Sequence, residues 1–208
     1  MKGFEVVFGD GDQRVQTALN GIRGLLRDVE AGYEAAVMRA LNRSVVTGRV
    51  AVVKEVRKVY TVKAKTVREH FKIKKAKVRD LEAVLSAQGH PLPIYGFKFT
   101  PKSDTTGNTR KRVRVAVRNE GGLKPLGATF VWRGLVLHRE GTESLPVHLI
   151  YGPSVPSMAG NTSVAEMSQK TMREAFLKRL DHEVKEVLRE AEENCGHPTG
   201  RNGGMIHG

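Results

Sequence analysis

The sequence has little of what membrane, secreted and disulfide-stabilised proteins require. Cys195 is the single cysteine in 208 residues, which excludes an internal disulfide framework and fits synthesis in a reducing cytoplasm. No apolar run approaches the roughly 18 residues that a membrane-spanning helix needs. The first residues carry no apolar segment before a small-residue cleavage site, so no secretory signal is predicted. Aromatic residues make up only 6% of the chain. A globular protein with polar loops and a modest core is expected.

Motifs for catalysis and for metal or cofactor binding are also missing from the sequence. It has no glycine-rich phosphate-binding loop and no serine in a nucleophile elbow. Cys195 and His197 are close, but no acid accompanies them to orient the imidazole, and the scattered histidines match no zinc spacing. The run Asp181–Glu183 places three polar residues on consecutive helical positions, which is typical of a solvated face. No enzyme activity, cofactor or metal is therefore predicted.

Positive charge, in contrast, is abundant and concentrated. The formal net charge is +13, and most of it lies in two segments. Residues 54–79 hold eleven Lys or Arg against two acids, and residues 98–118 hold seven against one. Two basic segments on an otherwise near-neutral chain indicate a polyanion or an acidic protein surface as partner, while a solvated surface without a partner is the alternative.

Apolar spacing predicts a short first strand over 3–8, then helices, and then further strands. Helical periodicity covers about 12–30 and 33–58, and a basic helical segment, 61–77, follows with Thr61 as its cap and Val67 and Phe71 as its apolar anchors. Gly48 inside the second helix costs about 1 kcal/mol against alanine, and it leaves room for another backbone to come close. A final helix of about 30 residues ends near Asn194, with Ser163 and Glu166 in capping-box spacing. Period-two patterns between these helices predict five strands, at 78–89, 92–99, 112–119, 128–134 and 145–152.

This order predicts an α+β fold, in which N-terminal helices and a long C-terminal helix pack on a mainly antiparallel sheet of about four to six strands. We expect one domain over residues 1–194, with a mobile basic loop at 100–111. Residues 195–208 form a glycine-rich tail with no core-forming pattern, and we expect it to contact a neighbouring subunit.

The basic segments supply the candidate binding residues, which would face either DNA or an acidic partner. Because the first segment is mostly lysine and few aromatic residues lie near it, any nucleic-acid binding is expected to be independent of base sequence. The candidates are Lys63, Lys65, Arg68, Lys72, Lys74, Lys75, Lys77, Lys102, Arg110, Lys111 and Arg112.

Several motifs, in this order, resemble the minor tail protein Z family of tailed bacteriophages. "ALNRS" (40–44) is followed by the basic segment "TVKAKTVREHFKIKKA", by "LPIYGFK" (92–98) and by "LPVHLIYGPSVPSMA" (145–159), which leads into the long last helix. The resemblance covers roughly residues 33–192. Its most specific motif contributes Gly152, Pro153, Ser154, Val155, Pro156 and Met158. Its prolines predict a stiff, extended lead from strand to helix, which serves either as a rigid connector or as a surface for a ring neighbour.

The resemblance implies a structural virion protein without catalytic residues. It implies tail completion at the head-proximal end of the tail, in a homo-oligomeric ring, most simply a hexamer. The implied partners are tail-terminator, tail-tube or connector proteins, with non-specific contact to genomic DNA in the lumen and no membrane. A sequence-independent nucleic-acid-binding protein of the cytosol is the alternative that the charge alone leaves open.

Overall fold

The computed structural model describes residues 3–8, 13–27, 29, 32–105, 112–141, 143 and 145–195. Its described helices are α1 (Gln13–Leu25), α2 (Gly32–Val59), α3 (Ala64–Glu69), α4 (Val155–Ala159) and α5 (Thr162–Cys195). Its described strands are β1 (Phe4–Phe8), β2 (Phe71–Lys74), β3 (Ala83–Ala87), β4 (Pro91–Pro93), β5 (Lys98–Thr100), β6 (Arg114–Ala116), β7 (Lys124–Pro125), β8 (Thr129–Trp132), β9 (Leu135–Arg139), β10 (Val147–Leu149) and β11 (Tyr151–Ser154). The predicted α+β class is confirmed.

The two long helices form the centre of the fold. α2 and α5 share the most extensive contact between any two described elements, and Phe176 and Leu180 of α5 are almost completely buried. Gly48 of α2 faces Met172 of α5 so closely that a Cβ there would lie 2.0 Å from the sulfur. Another backbone was expected to come close at Gly48, and the structure instead places the buried side chain of Met172 there.

The strands form four small antiparallel sheets in the described part of the chain, where one larger sheet was expected. The orders are β1-β3-β2, β5-β6-β7, β4-β11 and β10-β9-β8. The strands do not join into one sheet because they are short and separated by turns. Each described strand is only two to five residues long. The hairpin β8–β9 turns at Arg133 and Gly134, which both have positive φ. The sequence prediction missed β9 because "LVLHR" directly follows this turn.

The predicted basic helix over 61–77 is wrong in its extent. Only Ala64–Glu69 is helical, and the next residues, "FKIK", form β2 with Phe71 buried and the two lysines exposed. Their period-two alternation suits pairing with β3 better than continuation of a helix. Thr61 does not cap α3, because its hydroxyl donates to Ala116 O and accepts from the Lys98 N–H.

Two predictions near the last helix also need correction. α5 begins at Thr162, so Asn161 precedes it, and the Ser163 hydroxyl donates to Asn161 Oδ1 at 2.8 Å instead of capping the helix. Val155 lies in the first turn of α4, where an extended lead was expected. Ser154 caps that turn by accepting the Ser157 N–H at 3.3 Å, and proline is tolerated there because first-turn N–H groups need no helical acceptor.

Candidate basic interface

The basic segments of the sequence meet in space at the C-terminal end of α2. Asn119 donates from its backbone to Val59 O at 2.8 Å, and from its side chain to Arg57 O and Lys58 O at 2.9 and 2.7 Å. These bonds satisfy carbonyls that the end of a helix leaves without partners. Thr61 N–H donates to Val117 O at 3.1 Å, which continues the contact into the second basic segment.

Next to this meeting point the Lys98 N–H donates to Thr61 Oγ1 at 3.1 Å. Lys63 follows Thr61 and Lys102 follows Lys98 along the chain, and we call Lys63 and Lys102, one from each segment, the lysine junction. Lys63 has an extended backbone just before α3 and is exposed. The Lys102 Nζ atom lies 3.3 Å from the centroid of the Phe99 ring, so the ammonium group rests on an aromatic face. Partial burial lowers the pKa of Lys102 below its ordinary value, and the positive charge of Lys63 lowers it further.

Neither lysine of the junction has an ion pair with any described acid. Arg118, also in the second basic segment, places its guanidinium 5.8 Å from the centroid of the Tyr60 ring. Tyr60 and Arg118 form an isolated antiparallel bridge, so the backbone beneath the junction is fixed. The junction is consequently a small area of uncompensated positive charge on a rigid support, suited to an anion.

The other predicted residues of the first segment lie on α3, on β2 and in the segment after β2. Lys65 and Arg68 are exposed on α3 around the buried Val67, and Lys65 lies 4.0 Å from Glu69. Lys72 and Lys74 project from β2. Lys74 is compensated locally, since it lies 3.2 Å from Asp80 and 3.8 Å from Glu82. The hydrogen bond and charge of Asp80 raise the pKa of Lys74. Because two acids lie beside it, the positive charge of Lys74 is partly compensated within the chain.

Lys75 and Lys77 flank a residue that is fixed to α2. Ala76 N–H donates to Asn42 Oδ1 at 2.8 Å, and Asn42 Nδ2 donates to Ala76 O at 3.1 Å. Asn42 belongs to the "ALNRS" motif, so this motif holds the basic segment in place. The two lysines therefore extend from a tethered backbone, and Lys75 borders a groove between α2 and α5.

A charged groove between α2 and α5 contains an acid that the sequence prediction placed on a solvated face. Glu183 is only 4% exposed, so the prediction is wrong for this residue, whereas Asp181 and His182 are exposed as predicted. Its carboxylate lies 2.6 Å from Arg179 and 3.7 Å from Arg39. Two cations from different helices compensate the buried charge, as a buried carboxylate requires. Three consecutive polar residues do not indicate which of them is buried. Glu183 is buried because it lies beside Val184 on the buried face of α5.

Of the second segment, Arg112 is exposed at the mouth of a separate groove formed by the small sheets, and Arg110 and Lys111 lie outside the described residues. So do residues 106–111 of the predicted loop and 196–208 of the predicted tail. Among the described residues, no group of three or more His, Cys, Asp or Glu side chains is arranged to hold a metal ion. None of the described helices combines the length and apolar composition that crossing a bilayer requires.

The motif "GPSVPSMA" forms the turn from β11 into α4. Val155, Pro156 and Met158 are buried within the chain, and Pro153 and Ser154 are half-buried. Gly152 leaves no room for a side chain, since a Cβ there would lie 2.8 Å from the Phe97 ring. These contacts are those of a rigid connector. Within residues 152–159, which are all described, Ser157 is the one exposed residue.

The fold thus presents rigid basic surfaces on an α+β scaffold, which is the character of a structural or binding protein. The profile of the prophage minor tail protein Z (GPZ) family matches residues 16–193. The chain belongs to this family of phage minor tail proteins, as its motifs led us to expect. No curated protein and no solved structure matches the chain significantly.

Proposed function

We propose that the chain completes the tail of a bacteriophage at its head-proximal end. Copies form a ring, most simply of six, that joins tail-terminator, tail-tube or connector proteins and helps to position the DNA end. Membership of the minor tail protein Z family supports a structural role in the tail. In this role the protein binds its neighbours and DNA without catalysis, and it resides in the virion after synthesis in the host cytoplasm.

The lysine junction is the observation that carries the contact with DNA. Partial burial lowers the pKa of Lys102, the positive charge of Lys63 lowers it further, and no described acid forms an ion pair with either lysine. A phosphodiester group would relieve this repulsion. Contacts of this kind hold a DNA backbone without reading its bases, which suits a channel through which every sequence of a genome passes.

An acidic neighbouring protein is the alternative occupant of the same junction. The two occupants differ in their salt dependence, since each DNA phosphate that is neutralised releases counterions. The slope of log K against log salt is negative. Its magnitude should decrease by about 0.9 for each lysine–phosphate contact that is removed from duplex DNA. Lys63→Gln and Lys102→Gln should therefore flatten the slope, whereas the exposed control Lys124→Gln should not.

A second candidate function is sequence-independent nucleic-acid binding outside the virion, and the same uncompensated lysines favour it. Localisation separates the two. Phage particles produced by a lysogen carrying an epitope-tagged copy of the gene can be purified and labelled with gold-conjugated antibody. The proposal predicts label at the junction of head and tail, and head–tail joining that fails when the gene is deleted. Particles without label and with normal joining would favour the second candidate.

A further inference from the structure

A second basic site lies between two of the small sheets, away from the lysine junction. A groove of about 750 Å³ is bordered by Arg112 before β6, by the segment from Pro125 to Phe130 and by Arg139 at the end of β9. A shallower groove of about 470 Å³ shares Arg112 and adds Arg114. Three arginines from two sheets thus border one continuous region, and no acid is among the described residues that line it.

Arg139 is the most informative of the three arginines. Its guanidinium lies 5.1 Å from the centroid of the Phe130 ring, and its Nε atom is buried with no hydrogen-bond partner among the described residues. A partly buried guanidinium without a carboxylate is costly, because its desolvation is not repaid by an ion pair. Since Nε is covered, an incoming anion would contact the two Nη nitrogens.

The walls of the groove are held by hydrogen bonds and do not need to form when a ligand arrives. Leu126 N–H donates to Val113 O at 2.9 Å, and Arg139 N–H donates to Ala128 O at 3.2 Å. The buried Thr105 exchanges two bonds with Val131 of β8, at 2.9 and 2.7 Å. A preorganised site loses less conformational entropy on binding than a flexible one.

We propose that this groove binds an acidic segment of a partner protein, whose carboxylates pair with Arg112, Arg114 and Arg139 while its apolar side chains cover Pro125, Leu126 and Phe130. The planar fork of arginine matches a carboxylate in a bidentate geometry. The apolar part of the lining favours a polypeptide over a nucleic-acid backbone, because a phosphodiester chain has no apolar side chains to place there. Arg139 already covers a face of Phe130, which removes that face as a platform for stacking a base.

This site goes beyond the proposed tail-completion role and can be tested separately from it. The probe is a fluorescein-labelled octapeptide of alternating glutamate and leucine, compared with a glutamine–leucine octapeptide and a single-stranded DNA dodecamer. Arg112→Gln and Arg139→Gln should each weaken binding of the glutamate peptide by about tenfold, the loss expected for one charged hydrogen-bonded pair. Arg133→Gln, at the other end of the β8–β9 hairpin, should leave it within about twofold and serves as the matched control.

A second measurement on the unaltered chain guards against variants that fail to fold. Titration with the glutamate peptide should shift the amide resonances of Gly127, Ala128 and Gly141, which border the groove. Equal weakening by all three arginine variants, equal binding of the glutamine peptide, or unshifted groove resonances would overturn the proposal. Tighter binding of the DNA dodecamer with the same dependence on Arg112 and Arg139 would also overturn it, in favour of a phosphate site.

Discussion

Asn42 and Ala76 are joined by two reciprocal hydrogen bonds, in which the side-chain amide of one residue pairs with the backbone of the other. The arrangement imitates one step of a β-ladder, yet it links a helix to an irregular segment 34 residues away. Ala76 is only 4% exposed, so its backbone groups have little access to water. The asparagine of the "ALNRS" motif therefore fixes where the basic segment leaves the body of the protein.

Replacing Asn42 with alanine should destabilise the chain although alanine is the better helix former. The change leaves the Ala76 N–H and C=O groups without partners, which costs about 1 to 3 kcal/mol. Asn20→Ala on the exposed face of α1 is the matched control and should be neutral or slightly stabilising. Urea unfolding followed by circular dichroism measures both changes. Equal effects of the two substitutions would show that the Asn42 amide contributes nothing.

Replacing Gly48 with alanine should also lower the free energy of unfolding. A Cβ at Gly48 would overlap Met172, which is fully buried, and overpacking typically costs about 1 to 3 kcal/mol. Gly21→Ala on α1 meets no atom within 4 Å and should instead stabilise by up to about 1 kcal/mol. Met172→Ala combined with Gly48→Ala should lose less stability than the sum of the single changes. Additive losses would contradict the contact.

Replacing Glu183 with glutamine should be among the more damaging single changes on α5. It leaves Arg179, whose buried Nε atom has no hydrogen-bond partner among the described residues, beside a neutral group, and it removes the pairing with Arg39. We expect a loss of roughly 2 to 4 kcal/mol, below the largest values for buried pairs because both arginines are partly exposed. Glu193→Gln breaks an exposed pair with Arg189 and should cost less than about 1 kcal/mol. Similar losses for both would refute this distinction.

The pKa of Lys102 should report directly on Lys63. Burial and the charge of Lys63 lower this pKa from 10.5, so between the lowered value and 10.5 the unfolded chain binds more protons than the folded chain. The stability contribution of Lys102 therefore rises with pH across that window. Lys63→Gln should raise the pKa of Lys102 in a lysine side-chain NMR titration, and Lys65→Gln should not. If the pKa of Lys102 is unchanged in Lys63→Gln, the charge of Lys63 does not act on Lys102.

Elements in which the apolar pattern persists over many residues were predicted from the sequence. The apolar faces of α2 and α5 fixed their type and approximate bounds, and Gly48 signalled their close approach. Short elements were harder to predict, since Phe71 fits either a helical face or an alternating strand. Only the pairing of β2 with β3, a contact distant in sequence, decides between them. The same reason explains why one sheet was expected where four small ones occur.

The sequence predicted which segments of the candidate sites are positively charged, but not which residues lie together in space. Composition identified both basic segments, including Lys63 and Lys102, yet nothing in the spacing indicated that these two residues meet. In the sequence Lys74 does not differ from its basic neighbours, but in the structure Asp80 lies beside it. Arg139 lies outside both basic segments, so only the β8–β9 pairing and its contact with Phe130 place it at the groove that Arg112 borders.

The most direct test of a head-proximal structural role is a cryo-electron microscopy reconstruction of the neck of the phage that encodes this chain. The account predicts a closed ring of copies, most simply six, between the connector and the tail tube, with Lys63 and Lys102 facing the DNA in the channel. A particle whose neck lacks this chain, or a ring whose lysine junction faces away from both DNA and neighbouring proteins, would contradict it.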